Sequence, residues 1–255
     1  MSGNRDLLVQ TAERLFCDLD KNATPPKEVW RRICEAGFPL LLAPEADGGF
    51  AGDWRDACAV LRLAGFHDLQ APLADALIAG QADPSQASAS FLGALTRAAL
   101  ISGALDRTLQ MSLDYANNRI QFGKPIARFQ VIQHALACFA EEAAAVNCAV
   151  QAAATATDAG DGDGEFEIAC AKLRANTAAG IAHATAHQVH GAIGFTREYS
   201  LHRWTRRLLT WSCEFGTERH WSDFLGRRIA ARGPQNLWLD LTSRSDRSAP
   251  GGSAA

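Results

Sequence analysis

Seven residues, Phe91, Leu95, Ala99, Ser102, Leu105, Leu109 and Leu113, recur at spacings of three and four. That period puts small and apolar side chains on one stripe of an α-helix, whereas a strand would divide them between two faces. The pattern predicts one long helix from Phe91 to about Asn117. A second, from about Phe129 to Thr157, turns Ile132, Leu136, Phe139, Ala143, Val146 and Val150 inward. The run DAGDGDGE reads as a loop before a third helix, about Phe166 to His190, and its acids suit the positive N-terminal end of that helix. The last begins near Leu201, breaks around Gly216 and resumes to about Ala231. Together they predict a four-helix bundle.

The N-terminal part repeats the theme on a smaller scale. A helix near Asp6 to Leu19 carries Leu8, Leu15 and Phe16 on its apolar side. Thr24-Pro25-Pro26 is a helix start with proline in the first turn, and the helix it opens carries Val29, Trp30 and Ile33 and stops at Gly37. FPLLLAPEADGGFAGD is a loop, and helices follow at Trp54–Gly65 and Leu73–Ala79. No segment has the period-2 alternation of a strand. The fold class is therefore all-α: an N-terminal helical domain over 1–80, a polar linker QADPSQASAS over 81–90, and a bundle over 91–242. The end, SRSDRSAPGGSAA over 243–255, lacks apolar anchors and is expected to be a disordered tail.

Composition narrows the class further. With 255 residues and 47% hydrophobic content the chain can bury one or two compact cores. No apolar run approaches membrane-spanning length. MSGNRDLLVQ lacks the charged-then-apolar order of a secretory signal, and seven scattered cysteines without a C-x-x-C pair suit reduced thiols. The expectation is a cytoplasmic protein. A net charge of -3 offers no reason to expect nucleic acid as a partner.

Two stretches carry a family resemblance. NRIQFGKPIARFQVIQHALA, from Asn118 to Ala137, resembles the start of the C-terminal helical domain of acyl-CoA dehydrogenases, where Arg-x-x-Phe-Gly-x-x-Ile and then Phe-Gln join two long helices at a flavin. QVHGAIGFTREYSLHRWTRR, from Gln188 to Arg207, resembles the next flavin-binding turn, although Ala192 follows Gly191 where the family often has paired glycines. The N-terminal domain resembles that family's more loosely. The resemblance implies cofactor contacts from Arg119, Phe122, Gly123, Gln130, Gln188, Gly191 and Gly194 to FAD held by a neighbouring subunit. Arg119 offers paired donors to a pyrophosphate, and the glycines permit close backbone approach. The family's middle β-domain, which supplies much of the acyl-CoA pocket, is absent, and the linker stands in its place.

The reaction implied is α,β-desaturation of an acyl-CoA thioester. A carboxylate takes the α-proton while hydride passes from the β-carbon to the flavin. The family's Glu before Gly-Thr corresponds to Phe215 in the run CEFGT, with Glu214 one residue earlier. The alternative base position falls at Gly93, beside Leu92, Ala94 and Leu95. Neither position bears a carboxylate. The chain therefore resembles a short subunit of a heteromeric acyl-CoA dehydrogenase, of the kind associated with bulky substrates such as steroid side-chain thioesters. A partner subunit carrying the β-domain would bring the base and acyl-CoA pocket and share the FAD.

Other readings stay open at this point. One is a structural or regulatory helical subunit without flavin contact. Another is non-redox acyl-CoA chemistry with Glu214 as acid or base, Glu218 being the neighbouring carboxylate. A third is a metal-binding bundle using His183, His187 and His190 at i, i+4 and i+7, although carboxylate partners for such a site are missing. His134 and His202 match family positions as packing residues or ligands. Arg203, Arg206 and Arg207 form either a solvated face or a basic patch for a partner or a phosphate. Trp204, Trp211 and Trp221 suit a buried helix face or an interface.

Overall fold

The structure, a computed structural model, describes residues 2–80, 86–159 and 164–246. Ten helices account for nearly all of it: α1 (Ser2–Lys21), α2 (Pro26–Glu35), α3 (Trp54–Phe66), α4 (Leu73–Ala79), α5 (Gln86–Asn118), α6 (Gln130–Ala159), α7 (Gly164–His190), α8 (Leu201–Cys213), α9 (Glu218–Arg232) and α10 (Leu237–Asp246). Among the described residues the only strands are β1 (Ile120–Gln121) and β2 (Lys124–Pro125), an antiparallel pair between α5 and α6. Among the described residues the fold is all-α, with no middle β-domain between the N-terminal helices and the bundle.

Local chemistry explains most boundaries. Asp53 caps α3 by accepting from the Asp56 amide at 2.8 Å, and Thr217 caps α9 by accepting from His220. Asp158, near the end of α6, accepts from the Trp54 amide at 2.6 Å and so ties α3 to the bundle. Several ends move outward from the sequence expectation. Helix α5 takes in 86–90, which had been assigned to the linker; its remainder, 81–85, lies outside the described residues. Helix α10 was not expected and takes in 243–246 of the supposed tail, because Leu237, Trp238, Leu239 and Leu241 continue a helical pattern after the Gly233-Pro234 break. The rest of that tail, 247–255, lies outside the described residues.

Helix α5 lies at the centre, packed on α3, α6, α7 and α8, while α7 also meets α9. One apolar cluster runs from Ala12 and Phe16 of α1 through Ala94–Leu105 of α5 to Trp221 and Leu225 of α9. Helices α3 and α5 cross backbone to backbone. A Cβ on Gly103 would come within 1.7 Å of the Arg62 carbonyl, and one on Gly65 within 2.0 Å of the Leu100 carbonyl. Only glycine permits that approach. Trp204, Trp211 and Trp221 are all buried in this core.

Candidate functional site

The first sequence-predicted turn leaves α5 at Arg119. The Arg119 amide donates to Tyr115 at 2.8 Å, and the Ile126 amide donates to the Arg119 carbonyl at 2.8 Å. Between them lies a two-residue hairpin with Phe122 and Gly123 both at positive φ, 50° and 77°. That is the geometry of the tight hairpin turn whose twist matches its strands, and it is strained at Phe122. Phe122 is 91% exposed and meets the Phe129 ring edge-on at 6.2 Å, while Lys124 Nζ sits 4.4 Å over that ring. No acidic residue occurs between Asp114 and Glu141. Arg119, Lys124 and Arg128 are exposed, and none makes an ion pair among the described residues. Gln130 opens α6, also exposed.

The second turn follows α7. Gln188 and Gly191 are exposed, and Gly191 has φ 63°. Gly194 is buried: a Cβ there would press on His190, Leu201 and His187 at 3.0–3.3 Å. The two turns are far apart in sequence but joined in space. Tyr115 stacks on His190 at 4.6 Å, linking the residue four before Arg119 to the residue before Gly191. Beside that stack Ala116, Leu136 and Val189 form a satellite apolar cluster, with Ile126 and Ile132 packed on it. His190 Nδ1 donates to the Ala186 carbonyl at 2.8 Å, and Nε2 lies 3.3 Å from the Tyr199 hydroxyl.

His183, His187 and His190 do share a helix face, yet no group of three potential metal ligands converges among the described residues. His187 instead pairs with Thr205 at 3.2 Å and stacks on Phe195 at 4.2 Å. Burial lowers the pKa of both His187 and His190. His134 lies beside Cys138, and His202 Nδ1 is 3.0 Å from the Tyr199 carbonyl. Arg203 and Arg207 belong to neither a free patch nor a solvated face: both bond the buried Asp68, at 3.0 and 2.9 Å. Arg206 is exposed.

The two positions considered for a base face each other. Phe215, at φ 53°, lays its ring where any side chain on Gly93 would go; a Cβ there would meet the ring at 2.3 Å. Glu214 accepts from Arg97 Nε at 2.5 Å, and Arg97 also reaches Asp75 at 2.9 Å and lies 4.9 Å over the Phe215 ring. Arg97 itself is 9% exposed. These groups edge a cleft of about 380 Å³ between α4, α5 and α8, lined by Pro72, Asp75, Arg97, Arg207, Trp211 and Glu214. Glu218 stands away from it, exposed in the first turn of α9.

The family model for the acyl-CoA dehydrogenase C-terminal domain matches residues 92–230, more than half of the chain. The chain belongs to the acyl-CoA dehydrogenase family. It is similar to the acyl-CoA dehydrogenase IpdE2 of Mycobacterium tuberculosis, 35% identical over 105 residues, which is 41% of this chain and 31% of that protein. It spans about a third of the length of the curated relatives it matches. Two solved structures share its fold over nearly the whole chain. The Tcur3481–Tcur3483 steroid ACAD superposes with a TM-score of 0.82 at 18% identity, over 90% of this chain and 98% of that one. The ChsE4–ChsE5 complex from Mycobacterium tuberculosis gives 0.73 at 16% identity, over 89% and 97%. Sequence reasoning missed Tyr115, Arg97 and Lys172. Tyr115 meets His190, Arg97 meets Glu214, and Lys172 meets the carbonyls of Trp211 and Gly216, all far away in the chain, and no local pattern marks them.

Proposed function

We propose that this chain is one subunit of an FAD-dependent acyl-CoA dehydrogenase assembled from unlike chains. The observation that carries this reading is a contrast. The two turns that correspond to cofactor contacts expose Arg119, Phe122, Gly123, Gln130, Gln188 and Gly191, while the position for a base is filled by a phenyl ring against a glycine. Arg119 would donate to the cofactor's pyrophosphate, with Phe122 against a ring and Gln130 and Gln188 bonding its polar edge. Gly123 and Gly191 would admit close backbone approach, and Gly194 would support the second turn. The first turn fits such a group: it carries Arg119, Lys124 and Arg128 with no acidic residue between Asp114 and Glu141, beside the exposed Phe122 ring. The flavin, when bound, is the hydride acceptor. A partner chain would supply the β-domain, the acyl-CoA pocket and the carboxylate that takes the α-proton. Glu214 is a poor candidate for that proton, since Arg97 Nε already donates to its side-chain oxygen at 2.5 Å.

The acyl group proposed is a bulky one, a steroid side-chain thioester being the leading case. Its support is a fold shared with a steroid ACAD and with a two-component complex. A cytoplasmic setting is in keeping with seven free cysteines. No helix among the described residues is long and apolar enough to cross a membrane.

The test is Arg119→Ala in the assembled complex. A charge-assisted contact is worth about 1.5–3 kcal/mol, so FAD affinity is expected to fall roughly ten- to hundredfold. Helicity and subunit association should be unchanged. Unaltered flavin occupancy would instead favour a helical subunit that supports its partner without touching the cofactor.

A further inference from the structure

Lys172, midway along α7, is fully buried. No carboxylate pairs with it among the described residues. Its ammonium donates to Asn176 Oδ1 at 2.6 Å and to the carbonyls of Trp211 at 2.9 Å, Ser212 at 3.3 Å and Gly216 at 3.3 Å. Asn176 in turn donates to Gly216 at 3.1 Å. The Trp211 and Ser212 carbonyls belong to the last turn of α8, which has no helical partner for them. A lysine from another helix therefore does the work of a C-cap.

The segment it grips is unusual. Residues 213–217 hold Phe215 at φ 53° and Gly216 at φ 106°, and Trp221 Nε1 donates to the Phe215 carbonyl at 3.1 Å. The Phe215 and Gly216 carbonyls, at the two positive-φ residues of this turn, are thus held by side chains from α9 and α7. We propose that Lys172, together with Asn176, is a positioning residue for the 213–217 turn: a buried amine whose N–H donors set the turn's backbone and so decide what stands opposite Gly93, next to the Glu214 that lines the cleft. The idea goes beyond the flavin reading and does not depend on it.

An amine suits the task because it brings donors to a cage of oxygens, three when protonated and two when neutral, where methionine would bring none. The ionisable groups facing it are Cys213 and Glu214 at the end of α8 and Arg97 from α5. His220 of α9 packs against Gly216. Burial lowers the pKa of Lys172 from 10.5 to about 8. The closed turn therefore binds fewer protons than an opened one between those two values. Closure gains as pH rises through that window and is weakest below it.

Hydrogen exchange on the full chain, without flavin or partner, tests this. All measurements use a Cys213→Ser background, which removes the nearby thiol. In Lys172→Met the amides of 213–217 should exchange at least about tenfold faster, with α5 and α6 unchanged. In the parent, protection of the turn, corrected for intrinsic rates, should rise between about pH 8 and 10. In Asn176→Asp the new carboxylate should raise the lysine's pKa and move that rise to higher pH. Protection within twofold of the parent in a folded Lys172→Met overturns the proposal. So does a loss spread evenly over the bundle. Should Lys172→Met fail to fold, an unmoved pH response in Asn176→Asp overturns it alone.

Discussion

Phe215 and Gly93 are the two residues that most constrain the chemistry. Phenylalanine accepts no proton, and glycine has no side chain, and the structure sets one against the other. Arg97 then occupies Glu214. The expected outcome of Glu214→Gln is a turnover of the assembled complex within a few-fold of the parent, whereas loss of a true general base costs about a hundredfold or more. On the proposed function, steady-state rates set beside removal of a carboxylate supplied by the partner make the comparison decisive. Gln at 214 keeps the shape but releases the Arg97 pair, so a small loss of melting temperature should accompany unchanged rates. The identity of these residues was legible in the sequence from the run CEFGT. Their contact was not, because 122 positions separate Gly93 from Phe215 in the chain.

At the scale of elements, helix periods and caps were readable and helix crossings were not. The long apolar stripe of α5 follows from spacing alone. That α3 meets α5 through Gly65 and Gly103 depends on how two helices rotate about their axes, which no local pattern encodes. Gly103→Ala should be destabilising by at least about 1–3 kcal/mol, since the obstacle is backbone that cannot turn aside. A urea midpoint would report it, and alanine at Gly226, where a Cβ meets nothing within 4 Å, serves as the control. Thr217→Ala removes the cap of α9 and should cost about 1 kcal/mol. The same mutation should also loosen the turn that carries Phe215.

The whole molecule is held by joints between its two halves. Asp68 accepts from Arg203 and Arg207 while only 5% exposed, and Trp204 Nε1 donates to the Phe66 carbonyl at 2.9 Å. Asp68→Asn should weaken the docking of α1–α4 on the bundle, seen as a lower urea midpoint or as separate transitions for the two halves. Acid should act at the other end. His187 and His190 are held neutral by burial, with folded pKa values below the ordinary 6.5. Their contribution is present above that value and is lost as pH falls through the folded pKa, because the unfolded chain takes up protons first. Thermal melts between pH 7 and 5 should show the decline, reduced in His187→Phe. On the proposed function, the isolated chain should bind FAD weakly and the complex should carry fewer flavins than subunits. A stoichiometrically yellow preparation of this chain alone would contradict that.

The sequence by itself determined the all-α class, most helix positions, both turns and the missing carboxylates. Each of these rests on local spacing or residue identity, which neighbours in the chain already express. Tertiary structure alone decided the rest. It stacked Tyr115 on His190 between the two turns, gave Arg203 and Arg207 to Asp68, and buried Lys172 in a cage of carbonyls. Those outcomes depend on how helices rotate and cross, a choice made by packing a shared core rather than by any segment's own preference.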